Sequence, residues 1–397
     1  MRFLPEIDLI LQSLRWVAQS HSPSAKSDIN VSNLSRLDWR KVFAISEIHG
    51  ILGFVAFAVE RSGVFGSLPP DLRLALKDAL IGAELSNRAT FSEFKKSNRD
   101  FLEKNIPVIP LKGVDLSLRI YRGMPFRPMA DIDLLIHQSD LAQVSKFIFH
   151  SGFRSKKSCL KNRWQHHFIS KKDVSFAETR KGRMGFKKNR VEIDLHWNPR
   201  YRIGGHDIEI DIESLWVRTV PAPELGANIR ILSPEDLAWH LTLHTAEMHH
   251  PRLIQLLDLA LVTSRADIHA KTAWRQKVSG LANASREKIK ALTDDVEKIF
   301  GIAAPASWTQ GRSGTLIRFF LTREPSAPYR KEAVGDVDLS SELRSPVKRF
   351  LFFLCYFVPN PDYYTNRKGI RMVLTHWLDL AKNLVKRSVW KLKEWLH

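Results

Sequence analysis

Two short segments of this chain alternate polar and apolar residues with a period of two. In residues 130–136, Ala-Asp-Ile-Asp-Leu-Leu-Ile, Asp131 and Asp133 flank Ile132; in residues 191–197, Val-Glu-Ile-Asp-Leu-His-Trp, Glu192, Asp194 and His196 alternate with Val191, Ile193, Leu195 and Trp197. Successive side chains of a β-strand point to opposite faces, so this pattern makes strands with one apolar face to bury and one polar face that carries carboxylates. A helix would scatter the same residues around its circumference. The chain therefore has to contain a sheet and has to cover one face of it with apolar material.

Helical spacing dominates the rest. Apolar residues recur at helical intervals from Leu4 to Trp16, and a polar stretch, 21–35, separates them from a helix that starts near Asp38. Residues 48–59 are apolar nearly all round, as a buried segment is. A long amphipathic helix is predicted over 71–105, ended by Pro107. The pattern then changes: 108–111 is short and apolar, Lys112 and Gly113 close it, and 114–121 and 139–150 read as helices around the first acidic strand. Residues 154–190 alternate as a basic strand meander. Ser233-Pro234-Glu235-Asp236 forms a capping box with Pro at the first helical position, which predicts a helix to about Met248. Another begins at Pro251, and helical sequence continues to Trp308. The expected fold class is α+β, divided into a helical N-terminal region (1–105), an α/β core (106–232), a helical domain (233–310) and a C-terminal extension (311–397).

The charge points to partners. Lys and Arg number 61 against 42 Asp and Glu, a formal +19, which suits nucleic acid, nucleotide phosphates or an anionic membrane. The excess concentrates in 154–190 and again from Arg367 onward. With 44% hydrophobic and 26% charged residues a wholly disordered chain is excluded. Cys159 and Cys355 are too few for a disulfide framework and fit a reducing compartment. Residues 1–20 carry Glu6, Asp8 and Arg15 inside their apolar pattern and no small-residue cleavage site, so no signal peptide is expected and the expected location is cytoplasmic. Near the C-terminus, Ile370, Val373, Leu374, Trp377 and Leu384 form a stripe beside Arg371, Lys382, Lys386 and Arg387. It reads as a helix packed on the core or as a peripheral anchor on an anionic membrane surface.

Carboxylates on the polar faces of two strands converge if the strands are neighbours. Hard divalent cations take oxygen ligands of this kind, and Mg²⁺ commonly uses a few carboxylates plus substrate phosphates. Two such ions about 3.5–4 Å apart clamp the attacking and leaving oxygens in phosphoryl or nucleotidyl transfer. A sheet with one face in solvent gives the same alternation without a metal, so the pattern by itself leaves both readings open. His240 and His244 stand four apart, with His249 and His250 beyond, but no Glu completes an H-E-x-x-H motif and no Cys is near. They read as core or capping histidines rather than zinc ligands. His166 and His167 read as surface or cleft groups of the meander.

Three blocks in this order, 106–113 (Ile-Pro-Val-Ile-Pro-Leu-Lys-Gly), 121–136 and 191–197, resemble the signature blocks of the uncharacterised nucleotidyltransferases of the polymerase-beta superfamily. Asp38-Trp39 with 44–50, the Ser233 block, His244, His250 and 256–260 extend the resemblance over about residues 5–265. It implies a polymerase-beta-like mixed sheet core flanked by helical N- and C-terminal regions. It also implies Asp131, Asp133 and Asp194 as catalytic residues and ligands of Mg²⁺ or Mn²⁺, an NTP such as ATP as substrate, and Asp194 activating the acceptor. Most superfamily members hold the triphosphate with Gly-Ser at a helix N-terminus, whereas this chain has Leu-Lys-Gly. Phosphate binding is therefore expected from Lys112, the backbone at Gly113, Arg127 and His196. The acceptor is open among a small molecule, a peptide or protein side chain and an RNA end. The competing reading is a non-catalytic binder of nucleic acid or anionic membrane that keeps the same fold.

Overall fold

The computed structural model describes residues 4–20, 26–29, 37–122, 124, 126–129, 131–155, 183–188, 191–248 and 251–302. Most of the basic meander, His166, His167, His249, His250 and the C-terminal amphipathic stripe lie outside the described residues.

The chain opens with α1 (Pro5–Gln19), α2 (Trp39–Ile48) and α3 (Leu52–Arg61). Asp38 caps α2, its carboxylate accepting from the N–H groups of Arg40 and Lys41. The apolar run 48–59 does not continue that helix. Gly50, at φ +67°, breaks the chain between α2 and α3, a backbone setting that favours glycine. Every residue from Gly53 to Val59 is then buried, which is why the segment is apolar all round. The long helix α4 (Pro70–Glu103) follows. Asn98 ties it to the sheet edge by a reciprocal amide pair with Asn228, at 2.9 and 3.1 Å.

The α/β region contains β1 (Ile109–Leu111), α5 (Gly113–Arg119), β2 (Ile132–Leu135), α6 (Leu141–His150), β3 (Arg154–Ser155), β4 (Arg183–Lys188) and β5 (Val191–His196). The strands form one sheet in the order β1-β2-β5-β4-β3. β1 runs antiparallel to β2, with Leu111 opposite Asp133, and β2 runs parallel to β5, with Asp133 opposite Asp194. The sheet is therefore mixed and the fold is α+β. β2 is buried at all four positions, Asp133 included. Asp131, just ahead of the strand, and Asp194 on β5 are partly exposed.

A hairpin absent from the sequence reading comes next, β6 (Arg200–Ile203) paired with β7 (His206–Glu209). Gly204 and Gly205, at φ +59° and +84°, make its two-residue turn, the geometry that matches strand twist and that glycine accommodates. After α7 (Ile212–Arg218), β8 (Val220–Pro221) and β9 (Arg230–Ile231) the chain enters α8 (Pro234–Glu247), α9 (Leu253–Arg265), α10 (Ile268–Ser279) and α11 (Asn283–Phe300). The predicted cap of α8 is present: Ser233 Oγ accepts from Asp236 N–H at 3.1 Å. Leu14 of α1, Phe54 of α3, Leu243 of α8, Leu257 of α9 and Val296 of α11 share one apolar core with Ile109, Leu111 and Leu135 of the sheet. That core holds the first and last described helices against the sheet. Among the described residues no helix is long and apolar enough to cross a membrane.

Candidate active site

The register of β2 on β5 sets Asp133 beside Asp194, and Asp131 stands two residues before Asp133, just ahead of the strand. One carboxylate oxygen from each of the three lies within 4.8 Å of the other two. Like charges this close disfavour ionisation unless cations intervene. At Asp133 one does: the Lys112 ammonium reaches Oδ1 at 2.8 Å, and His196 Nε2 meets the same oxygen at 2.9 Å. Burial alone would raise the Asp133 carboxyl, but the Lys112 ammonium and then His196 outweigh it and hold the group well below the usual carboxylate range.

Lys112 reaches Asp133 because of where the chain turns. β1 ends at Leu111, the register partner of Asp133, and Lys112 takes φ +49°, ψ −112° to enter α5. A residue with a Cβ in that region carries a cost of about 1–3 kcal/mol, tolerated only where the surroundings fix it. Its carbonyl accepts the first helical hydrogen bond, from Leu116 N–H at 2.7 Å. A side chain at Gly113 beside it would be a tight fit: a Cβ would lie 3.1 Å from both Arg127 Nη1 and the Met129 side chain.

Arg127 is turned away from the carboxylates. Its Nε and Nη2 donate to the two oxygens of Asp258 on α9 at 2.9 and 2.7 Å, and Tyr121 O–H donates to Asp258 Oδ1 at 2.8 Å. Asn87 of α4 donates to the Arg127 carbonyl at 2.8 Å. These bonds pin the loop that leads into Asp131, and only Nη1 of the guanidinium lies against the Lys112-Gly113 turn.

Of the residues expected at the site, Asp131, Asp133, Asp194, Lys112 and His196 thus converge directly, Gly113 forms the turn, and Arg127 stands behind it. Sequence reasoning missed Asp258, Tyr121 and Tyr201. Asp258 pairs with Arg127 across 131 positions, a distance over which no local pattern carries a signal. Tyr201 was within reach, since Gly204-Gly205 between short alternating runs marks its hairpin. Tyr201 Oη lies 2.7 Å from Nδ1 of His240, a histidine of α8 that is buried as a core residue should be.

Three carboxylate oxygens in so small a space fit a hard divalent cation. Among the described residues this acidic trio is the group with metal-ligand spacing, and it includes neither cysteine nor histidine, which sets it apart from a structural zinc site.

A family model described as uncharacterised nucleotidyltransferase matches residues 35–287. Among solved structures, the chain is similar to the antibiotic-resistance factor ANT(2'')-Ia in solution, at 13% identity and a TM-score of 0.28, covering 54% of this chain and 95% of that one. The crystal structure of ANT(2")-Ia in complex with adenylyl-2"-tobramycin gives 14% identity and a TM-score of 0.27, with 53% and 98% covered. No curated protein matches the chain.

Proposed function

The chain belongs to the uncharacterised nucleotidyltransferase family, and from that premise we propose that it moves an NMP group from an NTP to an acceptor hydroxyl or other nucleophile, with Mg²⁺ or Mn²⁺ held by Asp131, Asp133 and Asp194. The observation that carries this reading is the parallel register of β2 and β5, which sets three carboxylates within 4.8 Å of one another beside a lysine. The bound cation supplies charge neutralisation at the phosphate oxygens.

The remaining work falls to the chain's own residues. The acceptor oxygen forms a bond to the α-phosphorus, the bond from that phosphorus to the bridging oxygen breaks, and pyrophosphate leaves. Asp194 takes the proton of the acceptor hydroxyl on a carboxylate oxygen. Lys112, on a flexible stem and 16% exposed, turns from Asp133 to the phosphates and offsets the charge of the leaving group. Gly113 keeps the turn low enough for phosphate to approach the backbone. His196 keeps Asp133 oriented through its Nε2 bond, and Arg127 adds positive potential through Nη1. Alignment and fixed charge, rather than a covalent intermediate, supply the rate.

The test is incubation of the purified protein with each NTP and Mg²⁺ together with pools of small molecules, peptides and RNA, read by mass spectrometry. The reading expects an NMP adduct that disappears on chelation and in Asp133→Asn. Adduct formation that ignores both would contradict it. The competing reading, a binder without catalysis, has no observation in its favour among the described residues.

A further inference from the structure

His240 is a buried polar side chain that the reaction as drawn leaves unused. It sits on α8, 2% exposed, among apolar neighbours such as Leu237, Leu241 and Leu243. Its Nδ1 lies 2.7 Å from Tyr201 Oη, which the β6–β7 hairpin delivers, while its Nε2 is buried with no hydrogen-bond partner among the described residues. Buried polar atoms are nearly always satisfied, and one that is not calls for an explanation such as a group that arrives later. The surroundings say where such a group would come from. The charged groups that act on this ring are Lys112, His196 and Asp133, the same ones that meet at the carboxylate site.

We propose that His240 is a phosphate-binding residue of the nucleotide site, its Nε2–H donating to a phosphate oxygen of the NTP on the Lys112 side while Tyr201 O–H fixes the opposite ring nitrogen as an acceptor. The inference rests on the nucleotidyltransferase reading above and adds to it a residue on a separate element. The proposal includes the tautomer: with Tyr201 O–H donating to Nδ1, the ring proton lies on Nε2. The ring is also kept uncharged, since burial and then the Lys112 ammonium bring His240 down to about 3. A neutral donor suits this place. It satisfies a phosphate oxygen without adding a second cation beside Lys112 that would compete with the metal for the carboxylates. A phosphate oxygen is also a better acceptor for it than an incoming hydroxyl, because the lysine beside it already selects for negative charge.

The test uses inorganic tripolyphosphate with Mg²⁺, which presents the phosphate chain without a choice of base, titrated calorimetrically into the full-length protein. The parent should bind in a Mg²⁺-dependent way. His240→Leu should weaken binding at least tenfold; His240→Gln, whose amide can place an N–H near the Nε2 position, should recover to within about threefold; and Tyr201→Phe should fall between them. Each variant's thermal midpoint is recorded alongside. In the unmutated protein labelled with ¹⁵N-histidine, the His240 Nε2–H resonance should shift when Mg²⁺-tripolyphosphate is added, a readout that needs no variant to fold. Unchanged affinity in His240→Leu, equal weakening in the Leu and Gln variants, or an unmoved Nε2 resonance would each overturn the inference. If Asp133→Asn loses binding while His240→Leu keeps it, the inference fails and the nucleotidyltransferase reading stands. If the parent shows no Mg²⁺-dependent binding, both fall.

Discussion

Asp133 and Asp258 are equally deep, 3% and 2% exposed, and each faces a basic side chain, yet they are built for opposite ends. Around Asp258 the charge is closed: Arg127 meets both carboxylate oxygens and Tyr121 adds a third hydrogen bond. Around Asp133 it is more open: Lys112 and His196 both meet one oxygen, Oδ1, and the carboxylates of Asp131 and Asp194 lie within 4.8 Å. A planar guanidinium against a carboxylate makes a matched, self-contained pair. Three aspartates grouped this closely are the kind of oxygen set that a divalent cation takes, and that is the role we propose for them. Depth of burial does not separate the structural aspartate from the one proposed for catalysis here; the groups arranged around it do.

The largest effect should appear when the open region is dismantled. Asp131→Asn, Asp133→Asn and Asp194→Asn are each expected to cut transfer by about 10³-fold or more, roughly 4 kcal/mol of transition-state stabilisation at ~1.4 kcal/mol per tenfold. Their thermal midpoints should stay within a few degrees of the parent's. Turnover and melting measured on the same samples check this, and a variant that unfolds instead would make its aspartate structural.

The closed region should answer in the other currency. Asp258→Ala leaves a buried guanidinium without its partner, so the expected loss is about 3–5 kcal/mol of stability, read from denaturant titration. The fraction that remains folded should keep more activity than Asp133→Asn. Stability unchanged with activity gone would erase the contrast between the two aspartates.

Lys112→Ala sharpens the comparison from the cation's side. Removing the ammonium should weaken a non-hydrolysable NTP about tenfold, on the order of 1.4 kcal/mol, while affinity for Mn²⁺ without nucleotide changes less. Calorimetric titrations with and without the NTP measure both. A larger loss for Mn²⁺ than for the NTP would mean that Lys112 serves to build the carboxylate site rather than to meet phosphate.

The smallest effect comes from a third carboxylate, Asp295 on α11, which is buried and has no ion pair among the described residues. Burial pushes it up to about 6, with Lys298 opposing and Asp294 adding to the rise. An acid raised above its unfolded value near 3.9 costs nothing below about pH 4, and the folded state loses stability as pH climbs from there to about 6, where the loss levels off. Asp295→Asn should therefore leave the melting temperature unchanged at pH 4 and raise stability by about 1 kcal/mol at pH 7. Equal effects at both pH values would show that charge is not what limits the site.

Much of this was legible in the sequence, and what was not has a common cause. The period-two alternation located β2 and β5 and put Asp131, Asp133 and Asp194 on their polar faces, because side-chain direction in a strand is a local property. Asp38 and the Ser233 block announced helix starts for the same reason. The pairing of β2 with β5 was an expectation that alternation could not supply, since register is a relation between distant segments. Arg127 was expected at phosphate because its neighbours in sequence are at the site. In the structure its carboxylate partner comes from α9, and most of its guanidinium is committed there. His240 read as a core histidine, and it is buried; its unpartnered nitrogen becomes visible only once Tyr201 is folded against it.

The account turns on the claim that Asp131, Asp133 and Asp194 form a charge-open site for a divalent cation. Calorimetric titration of Mn²⁺ into the parent protein and into the three Asp→Asn variants, each with a saturating non-hydrolysable NTP, tests it most directly. Saturable binding by the parent that each substitution weakens at least tenfold is the predicted result. Binding of equal strength in all four proteins would contradict the claim and leave the three carboxylates without a metal to hold.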